Sequence, residues 1–175
     1  VESVSISRRG FLRGRAHPPR PALRPPWARP EADFLSRCTR CEGCIEACPT
    51  GILIRAEGGY PAVDFGRGEC TFCADCVARC APAALWRAGP AQPAWSLRAR
   101  IGAACLARHG VECRVCGEAC PPGAIRFRPR AGGVAEPELD VAACSGCGAC
   151  QAPCPAAAIE MARPAAPALA LEHER

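Results

Sequence analysis

Cys38-Thr39-Arg40-Cys41-Glu42-Gly43-Cys44-Ile45-Glu46-Ala47-Cys48-Pro49 decides how this chain folds. Its spacing, C-x2-C-x2-C-x3-C, is the bacterial-type ligand run for a [4Fe–4S] cluster. Two residues between successive cysteines let one loop wrap three corners of a compact cube, with backbone N–H groups turned toward sulfur. The fourth cysteine points elsewhere, and a proline directly after it stops any local helix. The run recurs at Cys70, Cys73, Cys76 and Cys80, and again at Cys144, Cys147, Cys150 and Cys154. A further group, Cys105, Cys113, Cys116 and Cys120, has seven residues between its first two members. Pro49, Pro121 and Pro155 follow three of the groups, while Pro82 stands one residue later after Cys80. All sixteen cysteines therefore fall into four sets of four.

The intervals between groups repeat as well. Twenty-one residues follow Cys48 before Cys70, and twenty-three follow Cys120 before Cys144. Each interval has a short apolar run, a glycine pair and a second short run. These are Ile52, Leu53 and Ile54, Gly58-Gly59, then Val63 and Phe65; and Ile125 and Phe127, Gly132-Gly133, then Leu139 and Val141. A strand–turn–strand unit between two cluster loops, present twice, predicts an α+β chain of two tandem bacterial-type 2[4Fe–4S] ferredoxin-like modules. In such modules the fourth cysteine of each run ligates the other cluster. The expected sets are Cys38, Cys41, Cys44 with Cys80, and Cys70, Cys73, Cys76 with Cys48. In the second module they are Cys105, Cys113, Cys116 with Cys154, and Cys144, Cys147, Cys150 with Cys120. The stretched third group leaves two possibilities for Cys105: it closes its site from a longer loop, or it is a spare thiol beside a three-iron or labile site. Expected boundaries are an Arg/Pro-rich arm over 1–33, modules over 34–90 and 91–161, and a mobile tail over 162–175. The arm's Trp27 is expected to anchor on the first module. Gly89, Pro90 and Pro93 mark the linker. Trp95, Leu97, Ala99 and Ile101 alternate with polar residues as a half-buried strand does.

Other uses of cysteine fit less well. A disulfide scaffold does not require quartets at two-two-three spacing, and structural zinc usually takes two separate knuckles and often a histidine. His17, His109 and His173 do not stand in such positions. Aromatics make up only 5% of the chain, and a module of about 60 residues builds little apolar core, so folding and cluster loading should be coupled. The formal charge of +5 counts every cysteine as neutral. Four oxidised clusters with their thiolates contribute roughly −8, which leaves the loaded protein near about −3. All 22 basic residues are arginine; they are scattered and lack interleaved stacking aromatics, so nucleic acid is not expected as a partner. No stretch approaches the roughly 18 apolar residues of a membrane span. Ser7-Arg8-Arg9-Gly10-Phe11-Leu12-Arg13 matches the twin-arginine export pattern, but Gly14 to Pro30 holds six prolines and four arginines where an apolar segment should follow. A cytoplasmic chain is expected, in a compartment whose reducing conditions suit exposed thiolates. No nucleophile–base pair, phosphate loop or nucleotide motif is present, so the chain is not expected to be an enzyme.

The Ser-Arg-Arg-Gly-Phe-Leu-Arg-Gly arm at Ser7–Gly14, the Arg24-Pro25-Pro26-Trp27 segment and the C-x7-C third group carry a family likeness. Together they resemble the NapF family, ferredoxin-type accessory proteins of the periplasmic nitrate reductase system, from about Ser7 to Ile159. The resemblance implies a cytoplasmic electron-transfer and maturation factor that binds the molybdenum-containing catalytic subunit before its export. It also implies that all sixteen cysteines are ligands of four [4Fe–4S] clusters; Pro82 is the departure. The alternative is an electron-transfer iron–sulfur subunit of another molybdenum or hydrogenase-type oxidoreductase.

Overall fold

Every cysteine group ends in the same turn, and that turn sets the architecture. The structure, a computed structural model, describes residues 22–164. Three residues beyond the last cysteine the backbone turns left-handed, at Gly51 (φ 66°), Ala83 (φ 53°), Gly123 (φ 61°) and Ala157 (φ 46°). The N–H of each returns to the cysteine carbonyl, at 3.1, 3.0, 2.9 and 3.1 Å respectively. The next two residues are apolar and buried: Ile52-Leu53, Ala84-Leu85, Ala124-Ile125 and Ala158-Ile159. Each group thus drives an apolar pair into the core, and extended backbone starts there.

The elements are short. Helix α1 spans Glu31–Arg37, followed by single-turn helices α2 (Gly43–Glu46), α3 (Asp75–Ala78) and α4 (Val115–Glu118). The strands are β1 (Leu53–Arg55), β2 (Pro61–Val63), β3 (Arg98–Ile101), β4 (Ile125–Arg130), β5 (Gly133–Leu139) and β6 (Ile159–Ala162). They pair antiparallel as β1–β2, β4–β5 and β3–β6. Leu53 lies opposite Val63, Ile125 opposite Leu139, and Ala99 opposite Met161. The two hairpins occupy the intervals predicted for them. Val141 departs from the expectation: β5 ends at Leu139 and Val141 is exposed. Asp140 accepts the N–H groups of Ala142 and Ala143 at 3.0 and 3.1 Å, which ends the strand and turns the chain into the fourth loop.

The β3–β6 ladder closes the second module by joining its entry to its exit. In the first module the counterpart is a single bridge, Ala28 to Leu85. That bridge draws in residues expected to belong to the arm. The N–H of Val63 donates to the Leu23 carbonyl at 2.7 Å, and Trp86 N–H to the Trp27 carbonyl at 2.9 Å. Trp27 is buried, as expected of an anchor, and its Nε1–H reaches the Gln92 carbonyl at 3.1 Å. The Arg24 guanidinium lies over Phe34 and Tyr60 and bonds Glu31. Segment 23–33 is therefore packed on the first module rather than separate from it. The linker is tied down too, since Arg87 donates to the Gly89 carbonyl at 3.0 Å and Ala94 accepts Trp27 N–H. Prolines deprive such a segment of donors, but its carbonyls stay available, and both stretches are held through theirs. Phe34, Phe65 and Ile52 are the largest fully buried side chains, and one core runs through both modules. Arg8-Arg9 and the tail beyond Pro164 lie outside the described residues.

Candidate metal centres

Three of the loops hold their middle cysteine between two left-handed residues. Arg40 (φ 60°) and Glu42 (φ 63°) flank Cys41, Phe72 (φ 58°) and Ala74 (φ 67°) flank Cys73, and Gly146 (φ 80°) and Gly148 (φ 82°) flank Cys147. Alternating hand along the backbone turns successive N–H groups to one side, forming a concavity suited to negative charge. Non-glycine residues held there cost on the order of 1–3 kcal/mol each, so these loops accept strain to point donors at sulfur. The third loop lacks the pair: Arg114 has φ −124°.

The structure brings the sulfurs together as follows. Cys48, Cys70, Cys73 and Cys76 line one cavity of about 320 Å³, counting its mouth. Cys120, Cys144, Cys147 and Cys150 line a second of about 270 Å³, and Cys105, Cys113, Cys116 and Cys154 a third of about 340 Å³. The remaining set is seen through Cys44, whose thiol is pushed up to about 11 by burial and then by its neighbours Cys80, Cys38 and Cys41.

The same two causes act elsewhere. Burial, then Cys70 and Cys73, pushes Cys76 to about 12; burial, then Cys147, Cys120 and Cys144, does the same to Cys150. Cys116 reaches about 11 through burial, Cys105, Cys113 and Cys154. Cys70 also reaches about 11, first through burial, with Cys73, Cys48 and Cys147 adding to it. Burial opposes ionisation of Cys48, but the Thr50 hydroxyl and nearby backbone N–H groups outweigh it and hold that thiol low. Exposed Cys41 is lowered by the N–H of Gly43 and by Thr39. The last cysteines of two groups accept N–H bonds on sulfur, from Leu85 to Cys80 and from Ala158 to Cys154, each at 3.3 Å.

This donor set suits an iron–sulfur cluster. All sixteen side chains are free thiols, and sulfurs gathered so that each opposes its neighbours' ionisation suit a positively charged group among them. Among the described residues no three Cys, His, Asp or Glu side chains form a site for one bare ion. His109 takes no part; its ring contacts the Ala103 carbonyl at 2.8 Å.

Sequence reasoning missed three contributors. Thr50 lies 3.6 Å from the Cys48 sulfur. Trp95 donates Nε1–H to the Gly146 carbonyl at 3.1 Å. The Phe65 ring presses on Gly148 so closely that a Cβ there would overlap it. Only the last had a legible signal, the Gly-x-Gly pattern within the fourth loop.

The 4Fe-4S dicluster domain family matches residues 37–85 and again 111–158. The chain is 47% identical over 156 residues to the ferredoxin-type protein NapF of Escherichia coli K12, covering 89% of this chain and 94% of that protein. It is 48% identical over 139 residues to NapF of Haemophilus influenzae, covering 79% and 78% respectively. The methylamine utilization ferredoxin-type protein MauM of Methylobacillus flagellatus is 36% identical over 167 residues, 86% of this chain and 71% of that protein. No solved structure matches the chain.

Proposed function

The chain belongs to the family of ferredoxin-type NapF proteins, and from that premise we propose that it is a cytoplasmic electron-transfer and maturation factor. Its cofactors are four [4Fe–4S] clusters, and its client is the molybdenum-containing catalytic subunit of a periplasmic nitrate reductase. The observation that carries this is the gathering of the cysteines into four quartets, each completed by the last cysteine of the companion loop. All sixteen are taken as ligands, Cys105 included. The units are two modules divided near residue 90, the first reaching back to Leu23 through its packing.

When bound, the clusters supply reversible one-electron storage without bond making. The protein's own part is to hold and tune. The left-handed pairs aim N–H groups at the cysteine loops, and Leu85 and Ala158 donate to the fourth-position sulfurs. Such bonds stabilise the more negative state and raise the potential. Buried Cys70, Cys76, Cys116, Cys144 and Cys150 keep water from their corners, while exposed Cys41 and Cys73 leave edges of module 1 open to a partner. No catalytic centre of its own is assigned. A reducing compartment keeps sixteen unbridged thiols competent for loading. Among the described residues no helix is long and apolar enough to cross a membrane.

The test is an anaerobic pull-down with the tagged full chain from a cytoplasmic fraction. The precursor of the molybdenum subunit should co-purify, and its own iron–sulfur content should fall in cells lacking this chain. Recovery of the chain without that precursor rejects the client. A second assignment, service to a different oxidoreductase, is favoured by the 36% identity to MauM over 86% of the chain; the same pull-down would identify that partner instead.

A further inference from the structure

The surface between the modules is built from cluster loops. Cys70, of the quartet Cys48, Cys70, Cys73 and Cys76, donates its N–H to the carbonyl of Cys147, of the quartet Cys120, Cys144, Cys147 and Cys150, at 2.8 Å. Phe65 reaches across from the first module and lies against Gly148. Trp95 holds the adjoining Gly146 carbonyl at 3.1 Å and meets Phe65 and Phe72 edge-on, at centroid distances of 5.7 and 6.2 Å. A Cβ at Gly146 would stand 2.5 Å from the Leu97 carbonyl. Both glycines are thus places where only a missing side chain permits the approach. Elsewhere the matching loop positions carry Arg40 and Glu42, or Phe72 and Ala74, with the same backbone hand. Left-handed backbone alone therefore does not demand glycine here; close packing does, within the second module at Gly146 and across the seam at Gly148.

We infer that this seam is the internal electron crossing of the chain, and that Gly148 and Phe65 are positioning residues that set how closely the two inner quartets approach. A direct peptide contact between a ligand loop of one module and a ligand loop of the other makes the pair one redox unit. Each crossing leaves one module oxidised by one electron and the other reduced by one, with no bond broken and no proton moved. The outer quartets, containing Cys38 and Cys105, then lie at opposite ends of the sequence of sites. The inference rests on the four-cluster assignment above and adds an order to it.

The test uses the anaerobically reconstituted full chain, reduced with dithionite and examined by EPR power saturation. Nearby reduced clusters relax one another's spins, so a closed seam raises the microwave power needed for saturation. Gly148→Ala places a methyl into the Phe65 ring, and Phe65→Leu removes the ring without a clash. Gly132→Ala is the control for backbone strain alone, since Gly132 has φ 69° with nothing within 4 Å of a Cβ. Phe65→Leu should keep the wild-type iron content, and each seam variant that loads should saturate at lower power, while the control stays at the wild-type value. If Gly148→Ala fails to load, Phe65→Leu decides. Seam variants with full iron and wild-type saturation overturn the crossing, as does a control that shifts as far as they do. In both cases a wild-type chain with reducible clusters leaves the parent assignment standing. A loaded wild-type chain with no dithionite-reducible signal overturns both.

Discussion

Replacing Trp27 with alanine asks how much of the first module depends on the segment ahead of its first cysteine. Trp27 is 4% exposed, bonds Gln92 through Nε1–H, exchanges backbone bonds with Ala94 and Trp86, and carries the Arg87 guanidinium 4.8 Å above its ring. An indole buries about 200 Å², which at about 25 cal/mol per Å² sets a ceiling near about 5 kcal/mol. Large-to-small substitutions of this kind cost about 3–5 kcal/mol. At about 1.4 kcal/mol per tenfold, the opened form of module 1 becomes about 10²- to 4 × 10³-fold more populated. The assay is bleaching of the visible iron–sulfur absorbance in holoprotein mixed with an iron chelator. Bleaching should become biphasic, with half of the signal accelerated by that factor and the half belonging to module 2 near its wild-type rate. A variant bleaching within about threefold of wild type would show that Trp27 packs without bearing on the stability of the cluster loops.

Cys105→Ser should remove one ligand from the third set and convert that site to a three-iron or empty one. Iron analysis should show a loss confined to a single site, and an unchanged four-iron signal would make Cys105 spare. Loading should release protons: Cys44, Cys76, Cys116 and Cys150 are pushed up to about 11–12 in the folded chain, so at pH 7.5 each is protonated before it binds iron. Because ionisation is required for ligation, raising the pH favours loading and acidification reverses it; pH-stat reconstitution should release more protons than the added sulfide alone gives up, and a count no larger than the sulfide's contradicts thiolate ligation. The apo chain should show little native-like circular dichroism and no sharp melt; a cooperative transition without iron would overturn coupled folding. Deleting residues 1–15 should weaken affinity for the molybdenum subunit in a pull-down, and unchanged affinity would remove a docking role for the arm.

The cysteine spacing made the duplicated architecture legible because a cluster loop is a local object. Two residues between ligands, a turn after the last, and apolar pairs such as Ile52-Leu53 and Ala124-Ile125 all lie within one short segment. The hairpins were legible for the same reason, each being centred on a glycine pair. What the sequence hid is non-local. Arg24-Pro25-Pro26-Trp27 announces an anchor through its tryptophan, but nothing within it shows that Val63 and Trp86 donate to the carbonyls of Leu23 and Trp27. The bridge Ala28–Leu85 joins residues separated by both cluster loops, and no periodicity reports such a pairing. The seam was hidden likewise: Phe65 lies in the turn after β2, and only its meeting with Gly148 gives the glycine its reason.

The third loop shows how the same ring of sulfurs is reached by a different path. In its companions a left-handed residue at the end of the first interval, Arg40, Phe72 or Gly146, folds the chain back. Here Cys105 is extended (φ −60°, ψ 123°) and the added residues form a 3-10 turn, Leu106–His109, closed by Gly110 at φ 78°. That turn is tied to the end of β3 by Arg108, which donates to the Ile101 carbonyl at 3.0 Å, and by the His109 ring against Ala103. Ala107 is buried beneath it, and Leu106 joins Cys105 and Cys113 in lining the cavity. The longer loop therefore has its own support and returns Cys113 beside Cys105.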